Sequence, residues 1–185
     1  VTQTYATSGD GKRHSRTEDG NVTTYYWDAG YTVVNEADGT NLTRTFVGRT
    51  LAHVDGTNPS TGTWAFYFHD HLGSTRRIRN AAGTSIASYE FEPYGGTYAT
   101  TGTPSATTHQ WAGLEKDTGP YHYAPFRYYN NVSMRWTTRD PLGMVDGPNM
   151  YAYVKGNPVM RVDPMGLEWW NPYDWDVPGP YGSPD

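Results

Sequence analysis

Two short segments of this chain have the composition for acid–base chemistry: Asp140-Pro141-Leu142-Gly143 and Asp163-Pro164-Met165-Gly166. Two carboxylates held close together cannot both ionise easily, so one keeps a proton. The ionised partner can then act as base on a water while the protonated one polarises a carbonyl. A cation beside such a pair orients it and offsets its charge, and Arg127 and Arg139 are both candidates. The same composition also describes two ordinary type I β-turns, in which Asp bonds the backbone ahead, Pro presets φ and Gly closes the turn. Proline disfavours the α region for the residue before it, so both aspartates are expected in extended backbone. Spacing alone does not bring Asp140 and Asp163 together.

The two segments belong to a longer pattern. Phe126-Arg127-Tyr128-Tyr129 comes first, then Arg139-Asp140-Pro141. Asn149-Met150-Tyr151-Ala152-Tyr153-Val154, Gly156-Asn157-Pro158-Val159 and Asp163 to Leu167 follow. Upstream lie Tyr67-Phe68-His69-Asp70-His71-Leu72-Gly73-Ser74 and Tyr89-Glu90-Phe91-Glu92-Pro93-Tyr94-Gly95. In this order, and over Ala65 to Leu167, they resemble the C-terminal core of the rearrangement-hotspot (Rhs) or YD-repeat family. The first upstream segment is one residue shorter than the family's hallmark. Asn130 and Met144 stand where the family often has Asp and Leu.

The resemblance implies a β-sheet shell closed at its C-terminal end by a core that acts as an intramolecular aspartyl protease. Such a core cuts after the Leu of its final DPxGL and frees a C-terminal segment that is often a toxin. Carried over residue by residue, Asp140 and Asp163 correspond to the catalytic aspartates and Arg127 to the assisting arginine. Leu167–Glu168 corresponds to the scissile bond.

The elements that must position these residues read as strands. With 16 Tyr, 7 Trp and 21 Gly and without long helix-forming windows, the composition predicts an all-β fold. We expect an antiparallel hairpin meander, part of a β-shell, closed by the Rhs-associated core with few or no helices. The expected divisions are degenerate YD-type hairpins over 1–64, the core over 65–167, and a short aromatic, Pro-rich acidic tail over 168–185.

Glycines recur every eight to ten residues from Gly11 to Gly56, and Asp10-Gly11, Asp19-Gly20 and Asp38-Gly39 are strong hairpin signals. Strands are expected over Val22–Trp27, Tyr31–Val34 and Leu42–Val47, and the apolar run Trp64–Phe68 reads as a central strand covered on both faces. A further hairpin is expected to pair Arg76–Arg79 with Ile86–Phe91 across Asn80–Gly83. The Gly- and Thr-rich residues 95–108 read as a long surface loop, and Leu114–Asp117 as the one helical turn.

Composition also excludes. A net charge of −5 without clustered Lys or Arg argues against nucleic acid, and no apolar run reaches bilayer length. There is no cysteine. His69-Asp70-His71 lacks a third ligand at metal spacing, so neither metal nor cofactor is expected, and its imidazoles should bond loop backbone. Arg76, Arg77 and Arg79 read as a solvated face. Sequons occur at Asn21, Asn41 and Asn131.

The chain opens at Val1 without a signal pattern, so it is expected to be a fragment of a longer, secreted or cell-surface protein. The tail concentrates Trp169, Trp170, Tyr173 and Trp175 with four acids, and is expected to dock in an extended path. The expected partners are this tail, further copies or a larger shell, and glycans stacked on exposed Tyr and Trp. The leading functional expectation is a self-cleaving core that holds or releases its C-terminal segment. The alternative is a structural, filament-forming surface module that assembles through strand edges and the aromatic tail.

Overall fold

The computed structural model describes residues 3–169 except 10, 11, 30, 31, 49, 50 and 59. Expectations placed on the tail beyond Trp169, on Asp10-Gly11 and on Tyr31 fall outside the described residues. Among the described residues there is no α-helix, only strands, turns and three short 3₁₀ turns. Ten strands follow one another in space as they do in sequence: β1 (Gln3–Thr7), β2 (Arg13–Glu18), β3 (Asn21–Trp27), β4 (Val33–Asp38), β5 (Asn41–Val47), β6 (Ala52–Asp55), β7 (Thr63–His69), β8 (Thr75–Asn80), β9 (Ser85–Phe91) and β10 (Thr97–Gly102). A separate four-stranded sheet holds β11 (Glu115–Lys116), β12 (Tyr121–Tyr123), β13 (Tyr128–Asn130) and β14 (Arg135–Trp136), again in chain order. The expected antiparallel all-β meander is therefore the observed fold.

The chain divides into two compact units. The first contains residues 1–68 and 77–87. Its β2–β3 hairpin turns at Asp19 and Gly20, with φ of 49° and 85°, the two positive values that a type I′ turn requires. The next hairpin differs from the sequence expectation. Asp38 is the last residue of β4 and pairs with Asn41, so the turn is Gly39-Thr40 rather than Asp38-Gly39. An irregularity between Glu36 and Ala37 shifts the register, and only Gly39 takes positive φ (60°), as in a Gly-first hairpin turn.

Tyr25, Val33 and Phe46 form a small buried cluster against Trp27, whose Nε1 donates to the Arg13 carbonyl at 2.8 Å. On β6 and β7, buried His53 Nδ1 lies 2.6 Å from the Tyr67 hydroxyl.

Strand β7 is not covered on both faces. Ala65 and Tyr67 are buried, whereas Phe66 and Phe68, which alternate with them, are 40% and 52% exposed. The run is uniformly apolar, but it sits in an antiparallel sheet with only one face against a core. Arg79 lies over the Phe68 ring at 5.8 Å on the other face.

The second unit contains residues 69–76 and 88–185. Where a long loop was expected, Thr97–Gly102 forms β10, all of whose residues are exposed. Its Thr and Tyr suit a strand, and Thr101 meets Ser88 of β9 hydroxyl to hydroxyl at 2.6 Å. The expected helical turn also moves: Glu115–Lys116 is strand β11, and a 3₁₀ turn occupies Trp111–Gly113 with Ala112 at φ 51°. Asp70 closes the preceding turn, its Oδ1 accepting from the Leu72 and Ser74 amides, and His71 Nε2 bonds the Val159 carbonyl at 2.9 Å.

The core of this unit is aromatic because the register stacks it. His122, Tyr129 and Trp136 pair across β12, β13 and β14, which puts their side chains in one row. Trp111 and Tyr153 close on that row, with Tyr129–Tyr153 centroids 4.6 Å apart and Trp111–Tyr129 centroids 5.1 Å apart. Rings of this size bury 150–250 Å² each, on the order of 4–6 kcal/mol of gross burial apiece. Gly95 fits beneath them only because it lacks a side chain: a Cβ there would stand 2.6 Å from the Trp111 ring, and its φ is +85°.

Candidate active site

Arg127 leads into β13 and its guanidinium points into the second unit, where it is 3% exposed. Its Nη2 lies 2.8 Å from Asp140 Oδ2 and 3.2 Å from Asp163 Oδ2. The two carboxylates share one nitrogen, so their oxygens are no farther apart than those distances together. The structure thus brings together the three residues singled out from the sequence. Asp140 and Asp163 are also buried, at 8% and 2%.

The two Asp-Pro segments turn differently. At the first, the Gly143 amide donates to the Asp140 backbone carbonyl at 3.1 Å, and Asp140 Oδ1 accepts from the Leu142 amide at 2.8 Å. At the second, the Asp163 side chain does the closing. Its Oδ1 accepts from the Gly166 amide at 2.7 Å and from the Leu167 amide at 2.9 Å. Arg127 secures the same segment from the other side, since its Nε donates to the Gly166 carbonyl. The Phe126 amide donates to the Met165 carbonyl at 3.1 Å. Leu167 is half-buried and Glu168 exposed.

Three further groups complete the cluster, and the sequence had marked none of them. The Met150 carbonyl accepts from the Asp140 amide at 3.0 Å and from Arg127 Nη1 at 3.3 Å. The Gly166 carbonyl accepts from Arg127. Trp136 lies under the guanidinium, 4.5 Å from ring centre to Cζ. A backbone acceptor carries no residue-type signal; the available hint was an aromatic, Trp136, on β14, the strand paired with the one Arg127 leads into. Arg139, the other arginine candidate, is exposed and directed at Met150 Sδ, 3.6 Å away. Among the described residues Arg127 alone bridges the two aspartates.

Two carboxylates against one guanidinium leave the site formally one negative charge in excess. Burial answers by pushing Asp163 up to about 6 from an ordinary 3.8. The Leu167 amide, Arg127 and the Gly166 amide each pull it back down, and the charge on Asp146 adds a small upward push. In mildly acidic solution Asp163 therefore holds a proton. A carboxyl that keeps its proton is what the acid of such a pair requires.

Beyond the cluster, Trp169 packs against the aromatic core, with Arg161 Cζ 3.8 Å and Lys155 Nζ 5.0 Å from its ring centre. Asp146 is raised, first by its own burial, while a hydrogen bond with the Trp169 backbone lowers it. Among the described residues no three His, Cys, Asp or Glu side chains gather as a metal site, and no helix is long and apolar enough to cross a membrane.

No family model matches the chain. Toxin subunit YenC1 of Yersinia entomophaga is 37% identical over 107 residues, 55% of this chain and 11% of that protein. The tRNA3(Ser)-specific nuclease WapA of Bacillus spizizenii is 30% identical over 181 residues, covering 90% of this chain and 8% of that protein. Among solved structures, a crystal structure of TcdB2-TccC3 superposes with a TM-score of 0.71 at 26% identity, over 89% of this chain and 9% of the other. The chain thus spans about a tenth of the length of each of these three. With the antiparallel meander, these similarities identify the chain as a member of the Rhs/YD-repeat family carrying its repeat-associated core.

Proposed function

We propose that residues 65–167 form a self-cleaving Rhs core, which hydrolyses Leu167–Glu168 once and then holds or releases the segment that follows. One observation carries this reading: Asp163 Oδ1 accepts the Leu167 amide at 2.9 Å, so a carboxylate of the pair is folded against the residue bearing the scissile carbonyl. Asp140, the closer of the two to Arg127, takes a proton from a water, whose oxygen attacks the Leu167 carbonyl carbon. Protonated Asp163 polarises that carbonyl and then delivers its proton to the Glu168 nitrogen as the C–N bond breaks. The products are a Leu167 carboxylate and a Glu168 amine. Arg127 holds the carboxylates and, through Gly166, the peptide.

The relatives support a carrier role. A toxin subunit and a tRNA nuclease share this portion with the chain, so the portion common to them is more naturally the housing than the toxic activity. An extracellular setting and a larger shell as partner follow from the same reading. Intact mass measurement tests it: the wild-type chain should lose residues 168–185, or show a broken bond there, and Asp140→Asn and Asp163→Asn should each stay whole. A wild-type chain that remains whole after long incubation across a pH series refutes self-cleavage.

The second reading, a self-assembling surface module, draws on β10, whose six exposed residues carry neither charge nor proline, the usual guards of an edge strand. It requires association into oligomers, which light scattering at micromolar concentration reads directly.

A further inference from the structure

The proposed scissile bond is held firmly on its N-terminal side, where Asp163 takes the Gly166 and Leu167 amides and Arg127 takes the Gly166 carbonyl. The first described anchor on the other side is Trp169, two residues beyond Leu167. Its ring meets two cations, the Arg161 guanidinium at 3.8 Å and the Lys155 ammonium at 5.0 Å, and it packs on the buried aromatic cluster. Cations this close to an indole face attract it electrostatically, and more strongly where water is excluded.

The backbone under Lys155 is unusual. Val154, Lys155 and Gly156 run consecutively at φ of 44°, 53° and 73°. A β-branched residue in the left-handed region is an outlier that only its surroundings can hold. Val154 is buried in the aromatic cluster, so the cluster fixes the turn that presents Lys155 to Trp169. Asp146, on a third turn, bonds the Trp169 backbone.

We propose that Arg161 and Lys155 form a subsite for an aromatic residue on the leaving-group side of Leu167–Glu168. Occupied by Trp169, it steadies the scissile peptide beside the carboxylates and keeps the C-terminal product attached once the bond is cut. The inference builds on the cleavage reading, but the subsite is a binding site in its own right. Arg161 and Lys155 are positioning residues; neither touches the reacting atoms. An indole suits the site best, phenylalanine less well, and an aliphatic residue has no face for the cations.

Two experiments separate the subsite from the cleavage reading. The first uses the full chain carrying Asp140→Asn, kept whole, and an added Glu-specific endoprotease that cuts Glu168–Trp169. That bond becomes available when the segment lifts from its subsite. Arg161→Met should raise cutting there about tenfold, and Arg161→Met with Lys155→Met should raise it further. The melting temperature should stay within a few degrees. Cutting at the wild-type rate in the double variant overturns the subsite.

The second follows self-cleavage. The fragment 168–185 should co-elute with the wild-type core on gel filtration and separate from it in the double variant. Trp169→Phe should give partial retention and Trp169→Ala none. Undiminished co-elution of the Trp169→Ala fragment overturns retention. A wild-type chain that never cuts itself sinks the cleavage reading alone, because the endoprotease measurement still reports on the subsite.

Discussion

Replacing Arg127 by methionine removes the cation that the two buried aspartates share, and the cost can be worked from the geometry. The guanidinium sits 2.8 Å from Asp140 and 3.2 Å from Asp163, bonds the Met150 and Gly166 carbonyls, and covers Trp136 at 4.5 Å. Taking one partner from a buried ion pair costs about 3–5 kcal/mol, because the remaining charge is left without water or counterion. The lost cation–π contact adds about 1–2 kcal/mol. Proton uptake offsets part of this, since a carboxylate stranded in a dry site neutralises itself. Asp163 is already raised to about 6, and without Arg127 it rises further.

The sign of the pH effect follows. Between the unfolded value of 3.8 and the raised folded value, the native state binds more protons than the unfolded chain, so stability falls as pH rises. We therefore expect Arg127→Met to lose about 4–5 kcal/mol at pH 7.5 and less than half of that near pH 5. Urea unfolding at a series of pH values measures it, provided the slope with denaturant is unchanged. A loss below about 1 kcal/mol, or one that does not vary between pH 5 and 7.5, refutes the buried-charge account of the site.

Five other substitutions probe three separate parts of the argument. In the wild type the upward shift of Asp163 from 3.8 to about 6 corresponds to about 3 kcal/mol of stability that is present at low pH and lost as pH rises through 6; Asp163→Asn should flatten that slope in the same unfolding series. Gly95→Ala forces a Cβ into the Trp111 ring from a left-handed backbone, so it should cost about 2–4 kcal/mol and lower the melting temperature by several degrees. Phe66→Ser and Phe68→Ser, on the uncovered face of β7, should each cost under about 1 kcal/mol, whereas Ala65→Ser on the buried face should cost more; equal losses would mean that both faces are covered.

The fold class could be read from the chain because turn chemistry and β-prone runs are local. Asp19-Gly20 placed its hairpin correctly, and the strand expected after it, Val22–Trp27, is observed over Asn21–Trp27, whereas the run expected over Tyr31–Val34 continues to Asp38. What depended on partners was harder. Thr97–Gly102 reads as a loop until β9 lies beside it, and the apolar run of β7 says nothing about how many faces are covered. The Asp38 turn slipped by one residue because the irregularity at Glu36 and Ala37 has no side-chain signature.

At the site, the convergence of Arg127, Asp140 and Asp163 was legible only through the order of neighbouring motifs. Charge and spacing left Arg139 an equal candidate. What separates the two is direction: Arg127 sits before β13 with its side chain on the buried side, and Arg139 faces solvent. The Met150 and Gly166 carbonyls were invisible because any residue type supplies a carbonyl.

The sequential strand order also has a bearing on when the molecule can act. Each strand from β2 to β10 pairs with the one made just before it, so the meander is assembled from local contacts and can zip up while the chain is still being synthesised. The aspartate cluster is the opposite case. Arg127 can meet Asp140 and the Met150 carbonyl earlier, but the second carboxylate must wait for Asp163 to join Arg127 and for Gly166 and Leu167 to bring it their amides, so the pair is incomplete until the last residues of the core have emerged. Any chemistry there is delayed until Asp163 and Leu167 have been made, and a chain truncated before Asp163 would carry a folded meander with no reactive pair.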